Sequence, residues 1–192
     1  MSGRQVWLVR HGETEWSRDG KHTGVTDISL TEDGERVAAL LAPALAGVAF
    51  DQVLTSPRRR ARRTAELAGF PDAEIADGLH EWDYGDYEGL TTPQIRESVP
   101  GWTVWSHPCP GGETAAEVSA RLDALLARVA SSERVLLVAH GHSLRALAAR
   151  WLGLPVADGR LLRLDTATVS VLGLERDEHV LLRWNAPVGM GS

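Results

Sequence analysis

Hydrophobic and polar positions switch between two periods along the chain. The apolar run Val6 to Val9 reads as a buried strand that stops abruptly at Arg10-His11-Gly12-Glu13. Residues 31–47 then place Val37, Leu40, Leu41 and Leu45 at helical spacing, with Thr31 as candidate N-cap and Gly47 as a stop. A short strand is predicted over 51–56, where Ser56-Pro57 supplies an N-cap and first-turn proline for the next helix. A brief strand at 73–76 leads into the polar, aromatic loop 77–91. After a Pro- and Trp-rich stretch, Val118, Leu122, Leu125, Leu126 and Val129 line one helical face. Residues 134–153 repeat the opening pattern of strand, His-Gly and helix. The last third predicts strands near 160–164, 168–175 and 179–184, the final two as a hairpin across Arg176-Asp177-Glu178.

Strand–helix alternation predicts an α/β fold, a mostly parallel sheet with helices on both faces and an antiparallel C-terminal edge. With 192 residues and no linker or repeat, one domain over 1–192 is expected. The net charge of -6 disfavours nucleic acid and anionic membranes as partners but permits a local basic pocket. The single Cys109 excludes an intrachain disulfide and a cysteine-based zinc site, and between two prolines it reads as a loop thiol. A strand starting near residue 5 leaves no room for a signal peptide, and no apolar run reaches the ~20 residues of a membrane span. A cytoplasmic protein is the expectation. Seven tryptophans leave an exposed homodimer patch open.

In parallel α/β sheets, ligands bind beyond the carboxyl ends of the strands. Three predicted strands end there in cations or imidazoles: Arg10-His11, Ser56 with Arg58 to Arg63 after it, and His140-Gly141-His142. Helix N-termini at the same edge add N–H groups and partial positive charge. Such a site suits a phosphoryl group, and no P-loop pattern is present. Neutral His11 is a candidate nucleophile, its neutral form favoured by Arg10 and Arg60. His140 could donate to the transferring phosphate. Glu81, under Trp82, is the candidate acid, expected to keep its proton beside a dianionic phosphate. Of the arginine run, one or two members at most are expected in the pocket.

These residues resemble a known family. The stretch "LVRHGETEW" resembles the signature of the histidine phosphatase superfamily, also called phosphoglycerate-mutase-like. The resemblance continues in order through "HTGVTDISLTEDG", "SPRRRARRTA", "LHEWDYGDYEG", "PGGET" and "VAHGHSLR", and is nearest to short actinobacterial broad-specificity acid phosphatases. It implies a three-layer α/β/α sandwich with an antiparallel edge strand and no metal or other cofactor. It implies His11 as nucleophile, Glu81 as proton donor, and Arg10, Arg60 and His140 around the phosphate. Ser17, at a position commonly Asn, and Thr23, Gly24 and Gly141 are expected on the phosphate side. His142 stands where many members carry Asn and receives no role.

The family includes phosphatases and cofactor-dependent phosphoglycerate mutases. A mutase needs extra cations for a second anionic group. Between Trp82 and Gly112 only Arg96 and His107 are basic or imidazole residues, against Asp83, Asp86 and Glu88. An acidic wall and short lid favour water as acceptor, hence a phosphomonoester hydrolase for small phosphorylated metabolites such as sugar phosphates. Trp82, Tyr84, Tyr87, Trp102 and Trp105 form either an aromatic mouth or part of the core. Three rival classes fit less well. A serine hydrolase at Gly141-His142-Ser143 fails its motif at Arg145. A metallohydrolase would set its metal beside Arg10 and Arg60. A phospho-ligand binding protein has no need of nucleophile and acid together.

Overall fold

A computed structural model of the chain describes residues 3–189. Six strands form one sheet in the order β3-β2-β4-β1-β5-β6. They are β1 (Gln5–Arg10), β2 (Gln52–Thr55), β3 (Glu74–Ile75), β4 (Arg134–Ala139), β5 (Thr168–Glu175) and β6 (Glu178–Pro187). β1 through β4 pair in parallel, while β5 runs antiparallel to both β1 and β6. The carboxyl ends of β1, β2 and β4 therefore meet at one edge, with Arg10 opposite Ala139 and Thr55 opposite Val138.

Side chains alternate across the pleat and divide the core in two. Val6, Leu8, Leu54, Val135 and Leu137 pack on one face with Val118 and Leu122 of α6 (Ala115–Arg128) and Leu144 and Leu147 of α7 (Gly141–Trp151). Val9, Leu136 and Val138 pack on the other face with Ala38 of α2 (Glu32–Ala39), Leu41 of α3 (Leu41–Leu45) and Ala61 of α4 (Arg59–Leu67). The result is the expected α/β/α sandwich. No helix of the described residues is long and apolar enough to cross a membrane.

The structure departs from the sequence-based expectations at several places. The helix over 31–47 is split at Leu40, whose side chain is exposed. Ser56 does not cap α4, which begins at Arg59 with Arg58 as its N-cap. The Ser56 hydroxyl instead lies 2.6 Å from His140 Nε2. Residues 160–164 form no strand; a 3₁₀ helix spans Val156–Leu161, and the chain passes from it to β5 without pairing in the sheet. The hairpin turns tightly on Arg176 and Asp177, both at positive φ, and Glu178 is already paired with Glu175. All seven tryptophans are buried or half-buried, so none supplies an exposed patch.

Candidate active site

At the end of β1 the chain must turn closely under α2. A Cβ on Gly12 would lie 2.6 Å from the Gly34 carbonyl oxygen, so only glycine fits without backbone movement. The Gly12 N–H donates to Thr64 Oγ1 at 3.0 Å, tying this turn to α4. The geometry leaves His11 with Nδ1 2.7 Å from the Gly12 carbonyl. A carbonyl only accepts, so Nδ1 carries the proton and Nε2 holds the free lone pair. Burial first, then the charges of Arg60 and Arg10, hold His11 well below its ordinary 6.5. The imidazole is neutral and has one nucleophilic nitrogen.

His140, at the end of β4, is fully buried. Arg60 Nε donates to its Nδ1 at 3.2 Å, which places the ring proton on Nε2, facing the Ser56 hydroxyl. Arg60 is also fully buried and donates to the carbonyls of Thr26 at 2.9 Å and Thr23 at 2.9 Å. The His11 and His140 rings stand edge to face, 5.2 Å between centroids.

Glu81 is delivered from the 77–91 loop to the N-terminus of α7. Its Oε1 accepts from Trp82 N at 2.9 Å and Ser143 N at 2.7 Å, and Oε2 accepts from His142 N at 3.0 Å. Oε2, with a single N–H donor, keeps a lone pair for a transferable proton. Gly141 lets the Arg10 guanidinium pack closely beside it, since a Cβ there would lie 3.3 Å from the guanidinium carbon.

These groups surround a cavity of about 260 Å³ lined by Arg10, His11, Ser17, Thr23, Glu81, Tyr84 and Gly141 among the residues expected from sequence. Arg60 and His140 are fully buried and do not line it. Gly24 and Trp82 do not line it. The Gly24 N–H is held by the Glu88 carboxylate at 2.8 Å, and the buried Trp82 indole donates to Glu113 O at 2.9 Å. Trp102 is also core, and of the five aromatic residues considered only Tyr84 reaches the cavity. The acidic wall is absent too: Glu88 binds backbone N–H groups and Asp83 caps Gly85 N at 2.9 Å, both outside the lining.

Lys21, His22, Thr92, His142, Arg145 and Leu164 join the lining without having been assigned roles. Arg145 had a legible signal, since it lies four residues after Gly141 on the same helix face. Its guanidinium stacks 4.8 Å from the Trp105 ring centroid. Tyr84 OH and His142 Nδ1 are 2.6 Å apart, and His22 Nε2 lies 3.2 Å from Thr92 Oγ1. Burial pushes His22 down to about 4. Among the described residues, Arg10, Lys21, Arg60 and Arg145 have no carboxylate within ion-pair distance, although the chain forms such pairs widely elsewhere. In an acidic protein, cations left unneutralised around one cavity mark an anion site. No group of three or more His, Cys, Asp and Glu among the described residues is arranged to hold a metal ion.

Known proteins share this fold and much of this sequence. The chain is 49% identical over 180 residues to an acid phosphatase of Mycobacterium tuberculosis, covering 91% of this chain and 89% of that one. It is 36% identical to sedoheptulose 1,7-bisphosphatase of Saccharomyces cerevisiae, covering 78% of this chain and 68% of that one. A solved structure of a Mycobacterium tuberculosis open reading frame superposes with a TM-score of 0.92 at 45% identity, over 96% of this chain and 98% of that one. The family model of the histidine phosphatase superfamily, branch 1, matches residues 6–187. With its His11, Arg60, Glu81 and His140 gathered at the carboxyl ends of three parallel strands, the chain belongs to that superfamily.

Proposed function

We propose that the protein is a phosphomonoester hydrolase that works through a phosphohistidine at His11 on small sugar phosphates. The observation that carries this reading is a neutral imidazole with Nδ1 pinned and Nε2 free, in a cavity whose cations form no direct ion pair with a carboxylate among the described residues. The His11 Nε2 lone pair attacks phosphorus as the ester P–O bond breaks, and Glu81 gives its proton to the departing alkoxide. Glu81 then takes a proton from water as that water attacks phosphorus, the N–P bond breaks, and phosphate leaves with His11 restored. Arg10 neutralises charge on the non-bridging oxygens, with Arg60 adding positive potential from outside the lining. His140 orients Arg60 through its Nδ1.

The alcohol part of the substrate meets His22, Tyr84, Thr92 and His142, with Leu164 the one aliphatic side chain in the lining. Hydrogen-bonding groups in that proportion suit a hydroxylated carbon chain better than an aryl group. Lys21 and Arg145 suit a substrate with a second negative group. The yeast relative, named a sugar bisphosphatase, supports that class, and the mycobacterial relative, named an acid phosphatase, supports water over a second phosphate acceptor. Phosphate release from p-nitrophenyl phosphate, with a chelator present, tests the reading. The wild type should turn over and His11→Ala should lose about 10⁴-fold or more in kcat. A His11→Ala variant as active as the wild type would exclude it. A sugar-phosphate panel should then rank bisphosphates above neutral-tailed monophosphates.

A further inference from the structure

Arg10 is the cavity cation nearest the nucleophile in sequence, yet its own restraint is slight. Its one side-chain hydrogen bond among the described residues runs from Nη1 to the Leu164 carbonyl at 2.6 Å, while its buried Nε has no partner. The direction of the guanidinium fork therefore depends on where the Leu164 carbonyl sits. That carbonyl belongs to the loop between α7 and β5, which lacks regular structure of its own after Leu161.

The loop is gripped from the far edge of the sheet. Asp165 N donates to Asn185 Oδ1 at 2.8 Å, and Asn185 Nδ2 donates back to Asp165 Oδ2 at 2.9 Å. Next to it, the Trp184 indole N–H donates to the Arg163 carbonyl. Leu164 lies between the two gripped residues. Asn185 can reach because β6 is bulged there: Val169 pairs with Ala186 but Val171 with Arg183, so Ser170 faces both Trp184 and Asn185. Asn185 takes φ 54, a left-handed conformation that Asn tolerates better than most residues, and its N–H is fixed by the buried Ser170 Oγ at 2.9 Å. Ser170 in turn pairs with Leu8 in β1, the strand that ends in Arg10. The same loop returns to that strand end, where Ala167 N donates to the Arg10 carbonyl at 3.0 Å.

We infer that Asn185, on the bulge of the last strand, is a positioning residue for Arg10, aiming its free N–H groups at the phosphate through the Asp165–Leu164 segment. The inference rests on the phosphatase reading, which gives Arg10 its anion. Without the Asn185 amide the Leu164 carbonyl loses its hold through the Asp165 side chain and N–H, although Trp184 and Thr168 still bind the carbonyls on either side of it; Arg10 then samples more directions, and phosphate is bound less well in ground and transition states alike. Substrate affinity should suffer more than the rate of a bound complex.

Asn185→Gly separates this role from backbone strain, because glycine accepts the positive φ while removing only the amide. It should keep the wild-type melting temperature within a few degrees, raise KM and the inhibition constant for inorganic phosphate about three- to tenfold, and change kcat less than twofold. An exchange variant tests the clasp itself. Asn185→Asp alone, which sets two carboxylates face to face, should show the same loss, and adding Asp165→Asn to it, which restores a carboxylate–amide pair in the opposite sense, should recover phosphate affinity. Unchanged phosphate inhibition in Asn185→Gly, or loss of stability and kcat with KM unaltered, would overturn the inference alone. A wild type that neither binds phosphate nor turns over would overturn the phosphatase reading and this inference with it.

Discussion

Two strand–His–Gly steps, at the ends of neighbouring parallel strands, look alike in sequence and become different instruments. At β1, His11 lines the cavity with one nitrogen pinned to its neighbour's carbonyl and the other free. At β4, His140 is fully buried outside the lining with both nitrogens engaged, one by Arg60 and one with Ser56. The difference comes from the path of the chain after each histidine. Past His11 the chain turns under α2, held by Thr64. Past His140 it enters α7 at once, so backbone N–H groups, with His142 and Arg145, occupy the space at the cavity. A free lone pair makes a nucleophile, whereas a fully bonded ring fixes the group it touches.

This contrast can be broken by substitution. Arg60→Ala removes a buried charge and the partner that sets the His140 tautomer; kcat/KM should fall about 10²- to 10³-fold. His140→Ala should fall less, about 10- to 10²-fold, and Ser56→Ala only a few-fold, because these act through Arg60. An effect of His140→Ala equal to that of His11→Ala would give the two histidines equivalent roles and contradict the contrast. These losses are read from steady-state kinetics on one substrate.

Glu81→Gln sharpens it further. The amide cannot give a proton, so alkyl phosphates should lose about 10²-fold while p-nitrophenyl phosphate, with its good leaving group, loses less in the first step. Equal losses on both substrates would remove Glu81 from the acid role.

A further expected effect concerns stability. His11, His22, His140 and His142 are all held below the ordinary 6.5, His22 at about 4. Below pH 6.5 the unfolded chain therefore binds more protons than the folded one. Stability is full above pH 6.5 and falls as pH drops, for His22 by up to about 1.4 kcal/mol per unit through the window from 6.5 to 4, with His11, His140 and His142 adding loss in the same direction. Urea midpoints at falling pH should decrease below 6.5, and a rise there would contradict the buried neutral set.

The sheet and its catalytic edge were legible because their signals are local: apolar runs, helical spacing and cations at strand ends. Arg10 and His11 could be picked out because they stand at the end of a strand, and Glu81 because the chemistry calls for an acid and the family resemblance implies one at that place. Where tertiary contacts decide, sequence patterns fell short. Ser56 looks like a helix cap but is claimed by His140 across the sheet edge. Trp82 looks like a cavity wall but packs into the core, because its backbone N–H, rather than its ring, serves Glu81. Leu164 contributes a main-chain carbonyl, which no side-chain pattern can announce. Lys21, His22 and Thr92 meet Arg145 only after the loops close over the strand ends.

The most direct test of the account is to trap the intermediate. Rapid quench of the wild type with a phosphate-labelled substrate should give an acid-labile, alkali-stable phosphoenzyme, with the label on His11 and none in His11→Ala. A label on His142 or Ser143, or steady turnover by His11→Ala with no labelled enzyme, would contradict it.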